Sequence, residues 1–185
     1  MNVQTITLGG GCFWCVEAVF ELVDGVSAVE SGYCKGRNGR NGRNGHVKHP
    51  SYEQVCAGDT GHLEVVRVSS NADRISLREV LEIFFHAHDA TTLNRQGNDV
   101  GTPYRSGIYF ESPAHEAVAR AVLAEANAAQ GGRVVTELLP LANYSPAEAC
   151  HPHYFANHPG QGYCAFVVAP KVDKFKRTFK ARVKA

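Results

Sequence analysis

Neither sign of charge prevails in this sequence: nineteen Lys plus Arg stand against eighteen Asp plus Glu, a formal net charge of +1. That balance gives no global electrostatic case for a nucleic-acid or membrane partner, so neither is expected. No run approaches the roughly 20 apolar residues of a spanning helix. Residues 1–11 show neither the basic start nor the apolar stretch of an export signal, and the expectation is a cytoplasmic protein. What the chain does have is cysteine, at positions 12, 15, 34, 56, 150 and 164. In 185 residues that are 44% hydrophobic and 20% charged, one domain spanning 1–185 is expected. A core of that size needs no disulfide or structural metal, since folding buries roughly 70% of the unfolded surface. The cysteines are therefore free for chemistry, with redox chemistry favoured over metal binding.

The alternation Val3-Gln4-Thr5-Ile6-Thr7-Leu8 predicts a strand closed by Gly9-Gly10-Gly11. A helix follows, because Phe13, Val16, Phe20 and Val23 recur on one face as far as Asp24-Gly25. Val26 to Tyr33 reads as a second strand. Residues 36–50 read as a long solvated loop with three Arg-Asn-Gly units at 37–45, a composition that favours turns. Further strands are expected over 62–69, 106–111, 133–139 and 163–168. Ser76 with Glu79 forms a capping box that opens one helix, Ser112-Pro113 opens another that runs to Gly131-Gly132, and Ser145 with Glu148 repeats the box. A basic helix closes the chain. Strands interleaved with helices predict an α+β fold, a mixed β-sheet with helices packed on it in a single two-layer sandwich.

Cys12 stands behind three glycines where strand gives way to helix, and there unpaired N–H groups and the positive helix end favour an anion. The expectation is a thiol lowered from about 8.5 toward neutrality and hence a nucleophile, although a small buried hydrophobe stays open on position alone. Cys12-Phe13-Trp14-Cys15 is one C-x-x-C with no second pair and no spaced histidine pair, which argues for redox exchange over zinc. The nine histidines show no tetrahedral ligand spacing, so no metal is expected, and most are expected at the surface or at helix ends.

Gly11-Cys12-Phe13-Trp14 followed by Glu17 resembles the active-site motif of the A-type peptide methionine sulfoxide reductases. Gly58-Asp59-Thr60-Gly61-His62-Leu63-Glu64 is similar to that family's G-x-T-G-H-x-E stretch. Asn94 to Asp99 with Gly101, Tyr104, Arg105 and Ser106 is similar to its N-R-Q-G-N-D-x-G-x-x-Y-R-S block. The resemblance implies a thiol-dependent enzyme that returns methionine S-sulfoxide, free or in oxidised proteins, to methionine without metal, flavin or nucleotide. It implies thioredoxin or a similar dithiol as reductant. By the same resemblance Cys12 is the nucleophile, left as a sulfenic acid after the first step. Glu64 is the acid, Tyr52 and Tyr104 hydrogen-bond the sulfoxide oxygen, Asp99 orients the site, and Phe13 and Trp14 form the methyl pocket. Cys164, in Gly162-Tyr163-Cys164, matches the recycling thiol and is favoured as the resolving cysteine, with Cys15 as the other candidate. Without the resemblance, nothing selects Glu64 over Glu17 or Glu53, although Leu63, Val65 and Val66 offer it an apolar setting.

Two departures from the family pattern stand out. The Arg-Asn-Gly triplication between Tyr33 and Tyr52 looks like an insertion, and Glu148-Ala149-Cys150-His151-Pro152-His153-Tyr154 carries Pro152 where E-x-x-H-Q-x-Y has glutamine. A rival reading is a thioredoxin-like thiol–disulfide oxidoreductase using Cys12 and Cys15, which needs neither Glu64 nor paired tyrosines. A zinc or Arg-rich binding module is the non-enzymatic rival, disfavoured by the near-neutral charge.

Overall fold

Side chains of a strand alternate between faces, and in this chain both faces of the central strands are apolar but unequally covered. The computed structural model describes residues 1–37 and 46–185, so the Arg-Asn-Gly loop beyond Arg37 lies outside the described residues. In chain order the elements are β1 (Val3–Gly10), α1 (Phe13–Phe20), β2 (Val26–Lys35), α2 (Tyr52–Cys56), β3 (His62–Asn71), α3 (Leu77–Ala87), β4 (Arg95–Gln96) and β5 (Asp99–Val100). They continue with β6 (Ser106–Phe110), α4 (Pro113–Ala129), β7 (Glu137–Pro140), β8 (Ser145–Pro146), α5 (Tyr154–Asn157) and α6 (Ala169–Thr178). The main sheet has the order β7-β6-β1-β3-β2-β8, and β4 pairs with β5 in a two-residue ribbon. The sheet is mixed because β6 and β7 run parallel across the α4 crossover while the other pairs are antiparallel. Ile6, Leu8, Val66, Val68 and Ile108 face the helices and build the main core with Val16, Phe20, Leu81, Phe84 and Val172. The opposite face holds a smaller cluster of Cys34, Leu63, Val65 and Tyr109 under Leu139, Leu141 and Tyr144. Helices on one face only give the two-layer α+β arrangement expected from the alternation of elements.

Local signals and tertiary packing agree over most of the chain. Ser76 and Ser112 cap α3 and α4 as their residue types predict, the first with both halves of the capping box formed. Helix α1 stops at Phe20, and Val23 instead bridges to Val183. Almost every side chain of α1 is buried, because elements from both halves of the chain surround it.

Three expectations are corrected. Ser145 and Pro146 open no helix: they pair with Tyr33 and Gly32 at the sheet edge, where proline costs no ladder bond, and the Glu148 carboxylate that would close the box has other partners. Residues 163–168 form no strand but a π turn, Cys164–Val168, running straight into α6. Cys164, Val168, Val172 and Phe175 are all buried at helical spacing, so packing on the core overrides the β propensity of Val167 and Val168. The strand expected over 133–139 begins only at Glu137, since the Val135 N–H is taken by the Ala90 carbonyl. A short helix, α2, was absent from that reading although its capping box, Ser51 with Gln54, is plain in the sequence.

Gly11 is the position where glycine is required. Its φ is +89°, and a Cβ there would lie 2.6 Å from Gln96 Cγ. Gln96 is fixed in turn by two bonds to the backbone of Asp89. Gly11→Ala is expected to lose about 2 kcal/mol or more, measured as a lowered urea midpoint, and Gln96→Ala does not rescue it, because the Cβ of residue 96 itself lies 2.7 Å from the added methyl.

Candidate active site

Strand parity puts Glu64 on the helix side of β3 beside Val66 and Val68, whereas Leu63 and Val65 face the other way. The apolar setting expected from Leu63 and Val65 therefore comes instead from the α1 side. Glu64 Oε1 accepts the Phe13 N–H at 3.3 Å, one of the amides at the start of α1 that no helical carbonyl can reach. Oε2 is buried with no hydrogen-bond partner among the described residues. Burial pushes the carboxyl up to about 8, against the pull of the Phe13 N–H. At neutral pH this group is a neutral acid with a proton to give.

Cys12 is the N-cap of α1, and Cys15 lies in its first turn. The Cys15 N–H donates to the Cys12 carbonyl at 3.1 Å, and each thiol shifts the proton affinity of the other. The proton distribution reverses the expectation from helix position. Donation to Cys15, then burial, then the nearby Glu64 charge push the Cys12 thiol well up, although the Trp14 N–H pulls the other way. Cys15 is lowered to about 7 by the Cys12 thiol, by Lys171 and by Tyr163, against its own burial. The pair therefore shares one proton, which rests on Cys12, and the helix end is only one of several charges acting on it.

Tyr52 opens α2, and Tyr104 closes a 3-10 turn over Thr102–Tyr104. Burial first, then the Glu64 charge, raises both phenols, so both keep their O–H protons. Burial raises the Cys56 thiol, and Tyr52 and Tyr104 both act to lower it. Asp99 accepts the Tyr163 hydroxyl at 2.6 Å, and that hydroxyl lies 3.8 Å from Cys15 Sγ. Phe13 is buried against Tyr33, with ring centroids 5.7 Å apart, and against His151 at 5.1 Å. Trp14 is half-buried and stacks flat on Tyr154 at 3.8 Å, with Tyr163 edge-on at 6.0 Å. Arg105, next to Tyr104, is buried and held by Glu137 and by the Thr102 and Gly61 carbonyls.

The structure thus gathers Cys12, Cys15, Glu64, Tyr52, Tyr104, Asp99, Phe13 and Trp14 at one end of the sheet. Cys164 is fully buried, its thiol raised by burial and by the neighbouring Cys15. Cys34 sits on the opposite face of the sheet. Sequence reasoning gave no firm role to Glu148, His151, Tyr154 or Tyr163, although the E-x-x-H and Tyr-Cys patterns displayed them. His62, His88 and His151 are buried rather than at the surface. Glu17, Glu21 and His153 bring potential ligand atoms within 4.8 Å of one another, a grouping that spacing alone did not show, and here they hydrogen-bond among themselves. A cavity of about 1090 Å³ between α3, α4 and α6 is lined by none of the reactive groups. No helix among the described residues is long and apolar enough to cross a membrane.

Two buried cysteines at the start of α1 and a buried carboxyl raised by its surroundings are the chemical groups of a thiol-dependent oxidoreductase. The sequence profile of the family described as peptide methionine sulfoxide reductase matches residues 4–183. The peptide methionine sulfoxide reductase MsrA of Ralstonia nicotianae is 47% identical over 99% of this chain and 94% of its own length. Among solved structures, reduced Mxr1 from Saccharomyces cerevisiae superposes with a TM-score of 0.76 at 33% identity, covering 88% of this chain and 90% of that one. Mxr1 in complex with Trx2 superposes at 0.54 and 25% identity, covering 80% and 82%. The chain belongs to the peptide methionine sulfoxide reductase family, and it is an oxidoreductase.

Proposed function

We propose that residues 1–185 form one reductase domain that converts the S epimer of methionine sulfoxide, free or in oxidised proteins, to methionine, with Cys12 as nucleophile. The observation that carries the reading is Glu64, held protonated by burial and bonded to the Phe13 N–H, with Tyr52 and Tyr104 nearby. As Cys12 gives its shared proton to Cys15, its sulfur attacks the sulfoxide sulfur. Glu64 and the two phenols supply hydrogen bonds, and Glu64 the proton, to the sulfoxide oxygen. That oxygen ends on Cys12 as a sulfenic acid while methionine departs, so sulfoxide sulfur gains the two electrons that Cys12 loses. Phe13 and Trp14 pack the methyl group, a sulfur–aromatic contact of roughly 0.3–1.5 kcal/mol. Asp99, through Tyr163, holds the Cys15 side of the pocket.

A second thiol then expels the sulfenic oxygen as water and forms a disulfide. Cys15 is the first in reach, since it already touches Cys12, and Cys164 beside it takes over the disulfide by exchange. A dithiol of the thioredoxin type restores the thiols; the solved complex of Mxr1 with Trx2 supports that partner. We place the protein in the cytoplasm, where such a dithiol keeps cysteines reduced. The disulfide-oxidoreductase alternative leaves Glu64 and the paired phenols without a task. The test is turnover of separate S and R epimers of a peptide methionine sulfoxide with dithiothreitol. The S epimer alone is expected to react, and a folded enzyme inert toward both epimers refutes the reading. Cys15→Ser is expected to slow disulfide formation at least tenfold in a single turnover and, because serine is a poor acceptor for the Cys12 proton, to slow the first methionine as well, measured by rapid quench.

A further inference from the structure

We propose that Glu148 is a positioning residue for this reaction, acting through Tyr52 and His151; the inference rests on the function proposed above. Two hydrogen-bond donors and a histidine ring nitrogen meet on its carboxylate. Oε1 accepts the Tyr52 backbone N–H at 3.0 Å. Oε2 accepts the Tyr33 hydroxyl at 3.0 Å and lies 3.1 Å from His151 Nε2.

Helix α2 has five residues, too few to hold itself in water. Its capping box ties Ser51 to Gln54 in both directions and leaves the Tyr52 amide to Glu148. The place of the Tyr52 hydroxyl is thus fixed from 96 residues away. His151 is the second lever. Its buried ring wedges between Tyr52 at 4.8 Å, Phe13 at 5.1 Å and Trp14 at 5.9 Å, so its orientation sets the spacing of the pocket walls. Contact with a carboxylate puts the ring proton on Nε2 and leaves Nδ1 as an acceptor, buried and without a hydrogen-bond partner among the described residues. The Glu148 side chain is itself 42% exposed, so replacing it opens no buried cavity.

A shift near 1 Å in a group that positions substrate costs up to about 100-fold in rate. Steady-state reduction of a peptide S-sulfoxide is compared for wild type, Glu148→Ala, Glu148→Gln, Tyr52→Phe and Glu148→Ala with Tyr52→Phe, each checked for an unchanged fold by circular dichroism. Glu148→Ala is expected to lower kcat/KM about 30-fold, chiefly in kcat, and Glu148→Gln, which still accepts the Tyr52 N–H, to stay within about fivefold of wild type. With Tyr52→Phe already in place, the alanine substitution is expected to cost less than it does in wild type, the remainder being the part carried by His151. Equal losses in both backgrounds, or no loss, overturn the proposal while leaving the reductase reading intact. Wild type inert toward both epimers removes the reading and this inference with it. Nitrogen-15 spectra of the His151 ring give an answer independent of turnover: a proton on Nε2 is expected, and a neutral ring protonated on Nδ1 alone contradicts it.

Discussion

Cys12→Ser is expected to abolish methionine formation, with kcat falling about 10,000-fold or more, measured by methionine release under saturating S-sulfoxide and dithiothreitol. The loss is chemical. Cys12 occupies the N-cap of α1, where serine is among the favoured residues, so the substitution should leave the helix as stable as before or more so. A serine hydroxyl can still donate to Cys15, so the neighbouring thiol keeps a partner. What disappears is the soft nucleophile that attacks sulfur and then carries the oxygen. Cys15 cannot substitute for it: only 1% of it is exposed, and its sulfur lies 3.8 Å from the Tyr163 hydroxyl. Substantial residual turnover in this variant would place the nucleophile elsewhere.

Glu64→Gln is expected to lower kcat between about 100- and 10,000-fold, the range for removal of a positioned acid. The amide can still accept the Phe13 N–H, so the geometry of the helix start survives while the transferable proton does not. The pH profile separates this from a packing effect. Wild-type kcat/KM is expected to rise as the Cys12–Cys15 pair goes from two protons to one near 7, and to fall as Glu64 ionises near 8. The variant should keep the rising limb and lack the falling one. Stability moves the opposite way from activity. Because the folded-state pKa of Glu64 is raised from 4.5 to about 8, the folded protein holds a proton that the unfolded chain loses, and stability falls as pH climbs through that window. Glutamine carries no such penalty. The unfolding free energy of the variant should match wild type near pH 4 and exceed it above pH 8, by up to about 5 kcal/mol. An equal difference at both pH values would mean that Glu64 is not buried as a neutral acid.

The parts of this fold legible in the sequence are those where local preference and tertiary contact agree. The alternation of β1, the capped starts of α3 and α4 and the glycine stop after α4 each carry their own signal. Ser145-Pro146 and residues 163–168 were misread for one reason. Their local preferences are weak, and a distant partner decides: the free edge of β2 in one case, the core beneath α6 in the other. The burial spacing of Cys164, Val168, Val172 and Phe175 was available to be read but runs across the junction between two expected elements. In the site, residue types and motifs brought forward Cys12, Glu64 and the tyrosines. The state of the Cys12 proton was not accessible that way, because it depends on Glu64, Lys171 and Tyr163, which only folding brings close. Glu148 shows the same limit: its motif is visible, but its task is defined by Tyr52 and Tyr33.

The most direct test of the central claim is the stoichiometry of a reductant-free burst. Fully reduced enzyme, freed of dithiol and mixed with excess peptide S-sulfoxide, should release at least one methionine per chain while at least two free thiols disappear and a disulfide forms among Cys12, Cys15 and Cys164, read by mass spectrometry of the digested protein. Loss of thiols without methionine, or methionine formed with no thiol lost, would contradict the account.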